Sequence, residues 1–244
     1  MTPAGPRVEI LPPDEWAPTV AAWFAVRLAE RPTLRVCLPT GDTPAPLYAE
    51  LVAAEWRGEA SFASATVILL DEWVGLPPDD PARCDARIAG ELIDQLIEPP
   101  RFVPIDVDGP DPEAAAAAHD AEIAPGLDLA VVGLGANGHV GFNEPGSFPD
   151  DGTRLVRLAV SSREAAAERY GATLVPTAGI TVGLARLLEA RECWLLVTGP
   201  HKAAILRRAL EGPEDPDCPA SYLRRHPRLI VFADEAAAAL LRRR

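Results

Sequence analysis

The feature that most constrains the fold is an alternation sustained from end to end. Short apolar runs of strand length fall at residues 8–11, 34–38, 65–70, 127–132, 155–160, 194–198 and 229–233. Between them lie segments of helical character at 14–31, 45–54, 82–97, 112–123, 162–170, 181–190, 202–210 and 234–243. In the first of these, Trp16, Val20, Trp23, Phe24 and Leu28 recur on roughly one face, as an amphipathic helix requires. Strand followed by helix, repeated, predicts a single doubly wound α/β domain over residues 1–244, with a mostly parallel sheet covered by helices on both faces.

Open α/β sheets bind ligands at the carboxyl ends of their strands. Four loops rich in polar and glycine residues each follow a predicted strand directly: PTGDTP at 39–44, DEWVGL at 71–76, GLGANGHVGFNEP at 133–145 and TGPHK at 198–202. They therefore converge on one rim.

The chemistry of each loop admits a site role and a local one. PTGDTP sets Thr40, Gly41, Asp42 and Thr43 before a helix, where free N–H groups and the helix dipole make an anion seat. Asp42 or Thr43 could equally cap that helix, with Pro44 in its first turn. DEWVGL offers Asp71 and Glu72 at a strand mouth. A partly desolvated carboxylate there can act as a base, or the pair can cap a helix or join a salt bridge. GLGANGHVGFNEP gathers Asn137, Gly138, His139, Asn143 and Glu144, and an imidazole beside a carboxylate is a proton carrier near neutral pH.

Lys202 stands in the first turn after TGPH and is the only lysine in a chain whose other basic residues are arginine. That retention favours a point-charge contact to an anion over a merely solvated amine. His119, His201 and His226 carry less suggestive surroundings.

Composition narrows the class. A formal net charge of −13 argues against nucleic acid as a partner. No apolar run reaches the ~18 residues a membrane helix needs, and the N-terminus lacks the layout of a signal peptide, so the expected location is cytoplasmic. Four scattered cysteines, without a Cys-x-x-Cys pair, predict buried thiols rather than a disulfide frame or zinc site. We expect neither a metal nor an organic cofactor, and a homo-oligomer is left open.

Taken together, LPTGDTPAPLY, LLDEWVGLPPDDP, VVGLGANGHVGFNEPGS, TRLVRL, GITVGLARLLEA, TGPHKAAIL and CPASYLRRHPRLIVFAD resemble, in order and over nearly the whole chain, the glucosamine-6-phosphate deaminase/6-phosphogluconolactonase family. GHVGFNEP and the PAS…HP ending look like the deaminase branch. The resemblance implies isomerisation with deamination of an amino-sugar phosphate, glucosamine 6-phosphate, to fructose 6-phosphate and ammonia.

It implies that Asp71 moves a proton between C2 and C1, and that His139, paired with Glu144, opens the sugar ring. It places Asn137 beside that pair. Thr40, Gly41, Asp42, Thr43, Glu72, Gly138, Arg169 and Lys202 become the substrate-binding set, with Arg169 and Lys202 on the phosphate. Three positions depart from the family pattern. Asn137 stands where many members have aspartate, and Asp42 replaces a small uncharged residue. Val156 replaces a lysine of the activator site in regulated members, although Arg154 matches its basic neighbour. The alternatives are a 6-phosphogluconolactonase, a deaminase or isomerase of a modified amino sugar, and a non-catalytic sugar-phosphate sensor.

Overall fold

The computed structural model describes residues 5–164 and 176–242. Strands β1 (Arg7–Leu11), β2 (Arg35–Leu38), β3 (Thr66–Leu69), β5 (Arg101–Val103), β6 (Leu129–Gly133), β9 (Cys193–Val197) and β10 (Leu229–Asp234) form a seven-stranded sheet ordered β1-β10-β9-β6-β2-β3-β5. Every pairing in it is parallel.

Strand side chains alternate between two apolar layers, as the period of two demands. Val36, Leu38, Val67, Leu69, Trp194 and Phe232 pack with Val20, Phe24 and Leu28 of α1 (Pro13–Glu30) and Leu47 and Leu51 of α2 (Ala45–Trp56). On the other face, Cys37, Ile68, Val132, Leu195 and Val231 meet Leu184 and Leu187 of α6 (Leu184–Glu189) and Leu206 and Leu210 of α7 (Ala203–Glu211). The layers are completed by α3 (Cys84–Glu91), α4 (Pro112–Ile123) and α8 (Glu235–Ala238). Residues 160–164 are helical and are called α5.

From β2 the chain steps outward to β3 and β5, then returns with β6 to the opposite side of β2. The winding thus reverses between β2 and β6. The loops leaving those two strands part there and open a crevice.

The sequence pattern missed a second sheet. Strands β4 (Asp71–Val74), β8 (Ala178–Thr181) and β7 (Arg154–Arg157) pair antiparallel in the order β4-β8-β7. The sequence pattern predicts a loop at DEWV and a helix from Thr181, the last residue of AGIT, whereas that helix starts only at Leu184. The expected helix over 82–97 breaks into α3 and a 3-10 turn, Ile93–Gln95, and the closing helix is the short α8. Among the described residues no helix is long and apolar enough to cross a membrane, and all four cysteines are buried free thiols.

Candidate active site

A cavity of about 360 Å³ lies at the reversal between β2 and β6. One wall is the loop leaving β2, where Thr40, Gly41, Asp42 and Thr43 all line the space. Gly41 has φ of +132°, a conformation that favours glycine and lets the loop turn tightly into α2. The buried hydroxyl of Tyr48 donates to the carbonyl of Pro39 and ties the loop's first residue to α2. Helix α2 follows Pro44, whose own side chain offers no cap to the helix's first N–H groups.

The loop after β9 faces this wall. Thr198 Oγ1 lies 3.5 Å from Thr43 Oγ1, and Lys202 ends the 3-10 turn Pro200–Lys202 on the cavity lining, beside His201. Burial lowers the pKa of Lys202. Among the described residues its amine has no hydrogen-bond or ion-pair partner.

Asp71 begins β4 just past the end of β3, opposite Thr181 of β8. It lines the cavity with only 7% of its surface exposed. Burial pushes its carboxyl up to about 7, against the lowering pull of a hydrogen bond with the Cys84 thiol. A carboxylate held near neutrality by desolvation is both available and basic enough to take a proton from carbon.

Glu72 does something else. Neighbouring strand residues point oppositely, and its fully buried carboxylate accepts the N–H groups of Trp73 at 2.7 Å, Cys84 at 3.0 Å and Asp85 at 2.7 Å. It therefore anchors the start of α3 and is absent from the cavity lining, which corrects its expected place among the substrate ligands. The next residue, Trp73, returns to the cavity and packs on Phe142 with ring centres 4.4 Å apart and planes tilted by 48°.

The loop after β6 supplies the third wall. His139 Nδ1 lies 3.3 Å from Glu144 Oε2. Asn137 Nδ2 donates to the same oxygen at 3.0 Å, while Asn137 Oδ1 accepts the His139 backbone N–H at 3.1 Å. Burial acts to raise the Glu144 pKa, but hydrogen bonds and charge from His139, with further hydrogen bonds from Ser162 and Asn137, bring it below the ordinary value. His139 lies against Gly135, where an added Cβ would come within 2.3 Å of Nε2. Gly138 is not on the lining; its backbone packs against Cys218.

The structure thus gathers Thr40, Gly41, Asp42, Thr43, Asp71, His139 and Lys202 around one space, with Glu144 and Asn137 directly behind His139. Arg169 lies outside the described residues. Asn143 is not on the lining; it is fully buried, donates to the Val140 and Val182 carbonyls and accepts from Arg154. Arg154 also donates to Ser147 and pairs with Asp151. Cys84, Ser162 and His201 line the cavity although sequence reasoning gave them no role. For Ser162 no local signal existed, because it arrives from the far side of β7. His119 and His226 are buried and hydrogen-bonded to backbone carbonyls.

Fold and cavity together define a doubly wound α/β protein whose topological switch point holds a cavity lined by a buried carboxylate and an imidazole. Residues 13–231 match the family described as glucosamine-6-phosphate isomerases/6-phosphogluconolactonase. The glucosamine-6-phosphate deaminase of Rhodopirellula baltica is 39% identical over 242 residues, covering 97% of this chain and 96% of the relative. That of Corynebacterium aurimucosum is 40% identical over 213 residues, covering 84% and 82%. A solved monomeric glucosamine-6-phosphate deaminase superposes with a TM-score of 0.91 at 30% identity, over 96% of this chain and 99% of that one. The 6-phosphogluconolactonase of Thermotoga maritima shares the fold, with a TM-score of 0.75 at 21% identity over 93% and 99%. The chain belongs to the glucosamine-6-phosphate isomerase/6-phosphogluconolactonase family.

Proposed function

We propose that this chain converts glucosamine 6-phosphate and water to fructose 6-phosphate and ammonia. The observation that carries the reading is a carboxylate raised to about 7, Asp71, sharing one cavity with an imidazole backed by a carboxylate, His139–Glu144. The deaminases named among its relatives, at 39 and 40% identity, support the same assignment.

In this reading His139 carries a proton between the ring oxygen and the anomeric hydroxyl, and Glu144 stabilises the imidazolium that forms in passing. Asp71 then removes the proton from C2 of the open aldose and returns it to C1. This leaves an imine at C2, which adds water and expels ammonia. The phosphate sits against residues 40–43 and Lys202, where a cation and helix N–H groups offer complementary charge. Each positioned proton carrier contributes ~10²–10⁴-fold to the rate. A cytoplasmic setting fits the free thiols.

The test is Asp71→Asn, which keeps the shape and removes the base. Its kcat is expected to fall at least ~10²-fold with KM little changed. A variant retaining more than about a tenth of wild-type kcat contradicts the assignment.

A further inference from the structure

We infer that Ser162 is a positioning residue of the proton relay, its hydroxyl joining His139 and Glu144 into a three-membered unit; this rests on the functional reading above. His139 Nδ1 is 3.3 Å from Ser162 Oγ and 3.3 Å from Glu144 Oε2. Two equal and rather long separations fit one N–H shared between two acceptors. A hydroxyl is both acceptor and donor. Ser162 Oγ accepts part of the Nδ1–H and turns its own hydrogen to the Glu144 carboxylate, the direction in which Ser162 acts on that group.

The neighbours on the same segment reinforce this. The Ala159 N–H donates to Glu144 Oε1 at 3.4 Å, and Asn137 Nδ2 reaches Ser161 Oγ at 3.3 Å. Both oxygens of Glu144 are therefore addressed from the start of α5 and from the loop after β6. Ser162 is largely buried and lies on the cavity lining, beside the imidazole it would position.

The consequence is a defined tautomer. With Glu144 ionised, Nδ1 must carry the hydrogen, and Nε2 is left with its lone pair to accept a proton. In the reaction the proton enters and leaves at Nε2, while the Nδ1–H stays shared between Glu144 and Ser162. No bond to Ser162 forms or breaks. Without the hydroxyl, Nδ1–H keeps one acceptor and the imidazole can swing out of line.

The test compares Ser162→Ala, Ser162→Val and Ser162→Thr on glucosamine 6-phosphate, with KM, kcat and thermal midpoint measured for each. Threonine keeps the hydroxyl, and valine has threonine's shape without it. Alanine and valine are expected to lower kcat on the order of 10-fold, below the ~10²–10⁴ of the carrier itself, with KM and midpoint nearly unchanged. Threonine is expected to stay within about threefold of wild type. Valine at wild-type kcat overturns the serine's role, as does threonine falling with valine alongside a lowered midpoint, which would mark packing alone. A wild-type chain that releases no ammonia overturns the functional reading and the serine's role with it. An active wild type with an indifferent valine variant overturns the serine's role alone.

Discussion

Asp71 shows how one side chain trades stability for chemistry. In an unfolded chain its carboxyl ionises near 3.8; in the fold burial moves this to about 7. Between those values the folded chain holds a proton that the unfolded chain has lost. The contribution to stability is therefore fully present below the lower value and is lost as pH rises through about 7. At pH 8 the native state carries a buried charge, so Asp71→Asn is expected to be more stable than wild type there, by on the order of 1–4 kcal/mol. The advantage shrinks toward pH 4, and midpoints measured across this range check it. Because the base acts ionised, kcat/KM is expected to fall as pH drops below about 7. An acid limb near 4, with a variant no more stable at pH 8, would refute the raised carboxyl. Asn137 is a related case: an amide beside Glu144 gives a donor where a carboxylate would place like charges 3.0 Å apart.

Among elements, β4 carries the least local signal. Its four residues follow β3 after a single residue, and the strand exists because β8, more than a hundred residues later, pairs with it antiparallel. No window of sequence contains that partner, whereas the parallel strands reveal themselves by their own apolar runs. The same pairing decides Glu72. Next to Asp71 in sequence it reads as a second site carboxylate, but the strand's alternation turns it to the start of α3. Glu72→Ala leaves three N–H groups without their acceptor and is expected to cost on the order of 2–4 kcal/mol, or roughly 5–10 °C in the midpoint. KM of the folded fraction is expected to stay within about twofold. A large rise in KM with an unchanged midpoint would return Glu72 to the substrate.

At the scale of the molecule, the convergence of four loops on one rim was legible because doubly wound sheets impose it, and Asp71, His139 and Lys202 meet as that rule demands. What the rule does not carry is the support behind them: Glu144's second oxygen on the Ala159 N–H just before α5, Tyr48 beneath the loop, Trp73 against Phe142. Lys202 tests whether the β9 side belongs to the site. Lys202→Ala is expected to weaken binding of phosphorylated sugars by ~1.5–3 kcal/mol, seen as a rise in KM, and Lys202→Arg to restore it only in part. The thermal midpoint is expected to hold or rise slightly, because burial disfavours the lysine's charge. An unchanged KM would remove this lysine from the cavity's work.

The central claim is the reaction itself, and one assay addresses it directly: ammonia and fructose 6-phosphate measured together from glucosamine 6-phosphate, beside hydrolysis of 6-phosphogluconolactone by the same preparation. The account predicts equal amounts of the two products at a rate that Asp71→Asn abolishes, with no lactone hydrolysis above background. Lactone hydrolysis without ammonia release would contradict it.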